Sequence, residues 1–314
     1  MSTLDLTLCA STTPVRRSPS ASAVLELLKP ITWFAPMWAF MCGVVSSGAP
    51  LGQRWPVAIA GVVLAGPAVC AASQAVNDWF DRHVDAINEP GRPIPSGRLP
   101  GRWGLGLALL WTALSLALGA ALGPAVLAAT LLGLGLAWVY SAPPLRLKQR
   151  GWWGPASVAL CYEGLAWFTG AAVTSGGMPD GRITAVAALY SFGAIGIMVL
   201  NDFKAVEGDR RTGVLSVPVD LGVEAAAFLA CAIMAAPQVV VAALLLTWGQ
   251  PIYAAAVALS LAVQARLMAR LMSDPAKLAP WYNATGTSLY VLGMLAAGLG
   301  LSAHLHLLHL GAHP

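Results

Sequence analysis

The chain has 314 residues, of which 57% are hydrophobic and only 10% charged, and a formal net charge of +4. A mean hydropathy of +0.69 excludes an ordinary soluble domain and points to an all-α, polytopic membrane protein. Continuous apolar runs argue against a β-barrel, and basic residues scattered over loops argue against nucleic-acid binding.

Residues 1–25 are rich in Ser, Thr, Ala and Pro, carry Arg16 and Arg17, and read as a short flexible leader, not a cleaved signal peptide. A helix needs about 20 apolar residues to cross the hydrocarbon core. The charge-free runs 30–53 and 55–76 hold the first two spans. The run 103–145 is too long for one helix and is divided at Gly123-Pro124. Residues 151–179 hold the fifth span, interrupted only by Glu163, and 183–201 the sixth. The run 225–265 is divided at Gly249-Gln250-Pro251, and 283–303 is the ninth span. The expected architecture is therefore nine transmembrane helices over 26–303, enclosing a cavity with its functional loops on one face. A tail at 304–314 with His304, His306, His309 and His313 follows. The cysteines Cys9, Cys42, Cys70, Cys161 and Cys231 show no CxxC spacing and read as small apolar residues.

With the N-terminus inside, the inner segments carry all but two of the 18 Lys and Arg residues, the exceptions being Arg54 and Arg182. That asymmetry predicts a cytoplasmic N-terminus. Trp33, Trp55, Trp103, Trp152, Trp153, Trp248 and Trp281 sit near span ends, as interfacial anchors do.

Two acidic segments then fall on the cytoplasmic face. Asn77-Asp78-Trp79-Phe80-Asp81-Arg82-His83-Val84-Asp85 follows the second span, and Asn201-Asp202-Phe203-Lys204-Ala205-Val206-Glu207-Gly208-Asp209-Arg210 follows the sixth. They hold six of the 14 acidic residues. Carboxylates at a bilayer need a cation or a function. Asp78, Asp81 and Asp85 share one face if the second helix continues. Asp202 and Asp209 are about 20° apart on a continuous helix, and Glu207 about 140° from Asp202. Asn77 and Asn201 can add an amide oxygen. Oxygen-only ligands favour Mg²⁺, which takes one or two carboxylates and bridges to substrate phosphates. A solvated helix end balanced by Arg82 and Lys204 is the plainer reading of either segment alone. Two matched segments on one face favour a Mg²⁺–diphosphate site.

Basic loops accompany them. Arg92 and Arg98 lie in the Pro-rich stretch 90–98, and Arg146 and Lys148 in the stretch 140–148, which opens with Tyr140. Such groups can clamp phosphate, although the positive-inside rule also places basic residues here. Glu163 is the only ionisable residue deep inside a span and is expected to shape an acceptor cavity.

The N-D-x-x-D-x-x-x-D segment at 77–85 and its partner at 201–210 resemble the UbiA-type intramembrane prenyltransferases. The match covers about residues 25–303. The wording at 77–98 and 201–210, with Gly101-Arg102-Trp103-Gly104, is similar to the chlorophyll and bacteriochlorophyll synthases, closest to the bacteriochlorophyll a branch. Many members of the wider family carry another Asp where this chain has Ala205, which gives Glu207 more weight.

The resemblance implies esterification of the propionate of a chlorophyllide-type tetrapyrrole, bacteriochlorophyllide a, by geranylgeranyl or phytyl diphosphate. Asp78, Asp81, Asp85, Asp202 and Asp209, helped by Asn77, Asn201 and Glu207, would hold Mg²⁺. Arg92, Arg98, Tyr140, Arg146, Lys148, Lys204 and Arg210 would bind the diphosphate. A propionate is already ionised near neutral pH, so Glu163 is not required as a base. The implied location is the inner or intracytoplasmic photosynthetic membrane, with pigment-biosynthesis or assembly proteins as partners. Three alternatives stand: another prenyl acceptor, such as a quinone precursor or haem; a divalent-cation or metabolite transporter; and a structural pigment-carrying protein.

Overall fold

A computed structural model describes residues 18–52 and 54–311. The first part of the expected leader, 1–17, lies outside the described residues, with Arg16, Arg17 and Cys9. Helix α1 (Ala21–Leu28) begins inside the remainder of that leader, capped by Ser20, whose side chain accepts from the Ala23 amide. Lys29 then adopts a left-handed conformation, and a short 3₁₀ turn over Pro30–Thr32 leads into α2 (Phe34–Ser46).

The first expected span is thus a bent pair, with an angle of 53° between its halves. The break between the halves falls at Trp33, while Pro30 ends α1 because proline cannot continue its hydrogen-bonding. The other eight expected spans are single helices long and apolar enough to cross a membrane.

The second span contains α3 (Trp55–Val63), a π turn over Leu64–Cys70 that accommodates Pro67, and α4 (Ala71–Asn88). Helices α5 (Trp103–Leu122) and α6 (Pro124–Ser141) meet at Gly123-Pro124 as expected. The fifth span joins α7 (Trp153–Ala159) to α8 (Ala166–Ser175) through a second π turn, Leu160–Leu165, which contains Glu163. Helix α9 (Gly181–Asp202) ends at the second acidic segment and is followed by the short α10 (Val206–Thr212) and α11 (Val217–Leu221). Helices α12 (Val223–Thr247), α13 (Pro251–Leu271) and α14 (Pro275–Gly311) complete the bundle. Residues 304–308, expected in a tail, continue α14; His304 stacks on Trp248 with its Nδ1 2.9 Å from the Trp248 carbonyl oxygen.

Helices α2 and α8 approach with their backbones nearly in contact. A Cβ on Gly43 would lie 2.0 Å from the Trp167 carbonyl oxygen, and one on Gly170 would lie 2.0 Å from that of Phe40. Small residues permit this close packing, which replaces the hydrophobic driving force that helices lack inside lipid. Behind it, Trp167 stacks on Tyr190, and Tyr290 meets Tyr190 edge-on while donating to the Tyr190 carbonyl at 2.6 Å. Gln238 and Gln264 exchange amide hydrogen bonds of 2.9 and 3.2 Å between α12 and α13, both fully buried. This packed side leaves the space between α2, α4, α6, α7 and α9 open.

Candidate active site

That space is a cavity of about 600 Å³. Its walls are largely apolar, supplied by residues such as Phe34, Val69, Leu136, Val158 and Met198. A smaller void of about 40 Å³ shares the walls Pro36, Ala65, Val69, Gly133 and Cys161 and is lined further by Leu165 and Thr169. The polar side of the main cavity holds Asn77, Tyr140, Lys148, Asn201, Asp202 and Lys204. Both acidic segments therefore contribute to one site.

Helix α4 does continue through the first segment, which places Asp78, Asp81 and Asp85 on one face. The structure meets each with a basic side chain. Lys29 Nζ donates to Asp78 Oδ1 at 2.6 Å, and Arg92 Nη1 reaches the same oxygen at 3.3 Å and Asp85 Oδ2 at 2.9 Å. Lys148 pairs with Asp81 Oδ1, while Asn77 Nδ2 donates to Asp81 Oδ2 at 3.0 Å and to Ser141 Oγ at 3.2 Å. The residue Asp78 is only 2% exposed. Arg92 also holds Glu89 at 2.5 Å, and that bond keeps the Glu89 carboxyl below its ordinary pKa. Burial lowers the pKa of Lys148, and Asp81 opposes part of that shift.

The second segment is not one continuous helix. A 3₁₀ turn over Phe203–Ala205 separates Asp202 from α10, so the simple wheel that aligned Asp202 with Asp209 does not hold across it. The charge of Asp209 is nevertheless felt at Asp202. Glu207 points elsewhere: it pairs with Arg211 at 2.9 Å and Arg210 at 3.9 Å, with its side chain 66% exposed. Tyr140 lies between the two segments, within electrostatic range of both Asp202 and Asp81.

The basic residues divide in the same way. Lys148 and Lys204 line the cavity. Arg146 stands beside Lys148 with a left-handed backbone, and its buried Nε has no hydrogen-bond partner among the described residues. Arg98 is instead drawn to α1, where it clasps Glu26 with two bonds of 2.6 and 2.8 Å. Arg210 is exposed beside Glu207. Glu163 is buried but is not among the lining residues. Its neighbours in the π turn, Cys161 and Tyr162, face the cavity.

Sequence reasoning missed Lys29, whose partner lies 49 positions away, and the polar group Thr32, Cys70, Gln74 and Tyr162 deeper in the cavity. Gln74 and Ser73, polar residues within an apolar run, were the available signal for that group.

Among the described residues, no group of three or more His, Cys, Asp or Glu is arranged to hold a metal ion. The donor chemistry still fits Mg²⁺. Asp202, Asn77 and Asn201 are hard oxygen donors lining the cavity, and Asp81 is bonded to two of its lining residues. Mg²⁺ requires only one or two carboxylates when phosphates and water complete its shell.

The family model of UbiA prenyltransferases matches residues 35–285. The chain is 59% identical over 286 residues to the bacteriochlorophyll synthase 33 kDa chain of Cereibacter sphaeroides, covering 91% of this chain and 95% of that protein. It is 37% identical to the chloroplastic chlorophyll synthase of Oryza sativa, covering 88% of this chain and 76% of that one. The fold matches a UbiA homologue from Archaeoglobus fulgidus bound to GPP and Mg²⁺, with a TM-score of 0.70 and 21% identity, over 90% of this chain and 99% of that one. The chain belongs to the UbiA prenyltransferase family.

Proposed function

We propose that the chain esterifies the propionate of bacteriochlorophyllide a with geranylgeranyl or phytyl diphosphate and releases diphosphate. The observation that carries this reading is the composition of one cavity: both acidic segments and two lysines at its polar side, apolar walls beyond. The similarity to bacteriochlorophyll synthases supports the acceptor.

Asp202 and Asp81, with Asn77 and Asn201, would hold Mg²⁺. Bound there, Mg²⁺ supplies positive charge against the diphosphate and so favours its departure. Lys148, Lys204 and Arg146 bind diphosphate oxygens, and the unpartnered Arg146 Nε is suited to that role. Tyr140, between the two acidic segments, orients the same group. Asp78 and Asp85 act first by fixing Lys29 and Arg92, and reach a cation only if those pairs open. Asp209 adds a like charge near Asp202, a repulsion that a bound cation would offset. Glu207, Arg98 and Arg210 stand off the cavity in this arrangement.

The prenyl chain lies along the apolar walls, which keep water from the allylic carbon as positive charge develops there. The acceptor carboxylate attacks that carbon and needs no base. The distribution of Lys and Arg supports a cytoplasmic N-terminus and a cytoplasmic cavity mouth in a photosynthetic membrane.

The test offers membranes containing the protein a panel of chlorophyllides, quinone precursors and haem with several prenyl diphosphates. The expected product is the prenyl ester of bacteriochlorophyllide a, identified by mass. Exclusive prenylation of another acceptor would overturn the assignment.

A further inference from the structure

We propose that the Tyr162 hydroxyl, aligned by Gln74, binds the acceptor's carboxylate one helical turn deeper than the diphosphate. The inference rests on the esterification reading above and names how this cavity selects a carboxylate.

The group is built from three segments. Gln74 Nε2 on α4 donates to Tyr162 Oη at 3.1 Å, and the Cys70 thiol lies 3.3 Å from the same oxygen. Cys70 in turn lies 3.4 Å from Thr32 Oγ1, in the turn that precedes α2. All four residues line the cavity. The phenol oxygen accepts from Gln74, and its proton can turn to a ligand from Cys70, whose own thiol also reaches the Thr32 carbonyl at 3.6 Å. Nothing in the reaction as derived so far uses this group.

Position gives it a purpose. Gln74, Asn77 and Asp81 occupy i, i+3 and i+7 of α4 and so share a face. Gln74 therefore lies about 4.5 Å along the axis deeper than Asn77 and about 10.5 Å deeper than Asp81. In an aligned displacement, the leaving and attacking oxygens are separated by one C–O bond plus a near-attack contact of about 3–3.5 Å. The step from Gln74 to Asn77, about 4.5 Å, matches that separation.

The chemistry matches as well. Phenol, amide, thiol and hydroxyl are uncharged donors. They orient a carboxylate without the tight ion pairing that would blunt its attack. Glu163, next in the chain, is absent from the lining, so this end of the cavity presents no carboxylate to take a proton from a hydroxyl acceptor. Tyr162 holds one carboxylate oxygen while the other forms a bond to the allylic carbon. The bond from that carbon to the diphosphate breaks, its electron pair leaves with the diphosphate anion, and no proton is transferred.

The experiment compares wild type with Tyr162→Phe and Gln74→Leu in steady-state esterification. Tyr162→Phe should lose roughly ten- to a hundredfold in kcat/KM for the acceptor, the worth of a hydrogen bond to a charged group, with KM for prenyl diphosphate unchanged. Gln74→Leu keeps the phenol and should show a smaller loss of the same kind, which serves if Tyr162→Phe does not fold. Wild type should also bind the free acid about tenfold or more tightly than its methyl ester as a competing inhibitor. Tyr162→Phe should lose that preference. Acceptor kinetics unchanged in both variants, or an equal rise in KM for prenyl diphosphate, would overturn this inference alone. Absence of any carboxylate ester from the wild type would overturn the reading beneath it.

Discussion

Lys29 and Asp78 form an ion pair of 2.6 Å that ties the chain ahead of the first span to the first acidic segment. Arg92 shares Asp78 and bridges to Asp85. The segment thus carries its own counter-charges, which gives Asp78 a structural load that Asp202 lacks.

Asp78→Ala and Asp202→Ala should therefore differ. Removing Asp78 leaves Lys29 and Arg92 without that partner and should cost about 3 kcal/mol. This is the low end for breaking a buried pair, because the two basic side chains are 23% and 25% exposed. Asp202→Ala should leave the melting temperature unchanged and lower kcat at least about a hundredfold. Thermal melts in detergent beside an ester assay separate the two effects. Equal melting temperatures for both variants would contradict the structural load on Asp78.

Arg146 and Arg98 offer a second contrast. Arg146→Ala should raise KM for prenyl diphosphate about tenfold or more, since it removes a charge-assisted donor. Arg98→Ala breaks an exposed, solvent-screened pair with Glu26 and should leave both the melting temperature and KM essentially unchanged. Steady-state titration with prenyl diphosphate distinguishes them.

Lys148 predicts a pH effect. Burial lowers its pKa, and a bound diphosphate favours the charged amine. Diphosphate affinity should therefore be full below the lowered pKa and fall as pH rises through it. Lys148→Arg keeps its charge across that range and should flatten the alkaline fall. Binding isotherms across alkaline pH check the sign.

Chelation should stop esterification without unfolding the protein. Lys29, Arg92 and Lys148 already offset the first acidic segment, so the fold does not depend on a divalent ion there. EDTA should abolish product, Mg²⁺ should restore it, and the melting temperature should remain constant. A large fall in melting temperature would show that metal holds the helices together.

The span pattern was legible because apolar runs and breakers such as Gly123-Pro124 act locally. The bend at Trp33 was not, since a charge-free run does not register a change of direction within it. The meeting of the acidic segments followed from charge asymmetry alone. Their inequality did not, because the 3₁₀ turn at Phe203–Ala205 interrupts the α-helical register and Glu207 pairs with Arg211 one turn on. The Tyr162–Gln74 pair was hidden for another reason. Its partners lie on different helices, and Glu163, the more conspicuous residue beside it, lies off the cavity wall.

In the proposed reaction an acceptor carboxylate attacks the allylic carbon while diphosphate leaves intact. Bacteriochlorophyllide a labelled with oxygen-18 in both carboxylate oxygens tests it most directly. The ester should retain both labelled oxygens, and the released diphosphate should carry none. Loss of one label from the ester would mean that the carboxylate was activated first, and would contradict the chemistry assigned to this cavity.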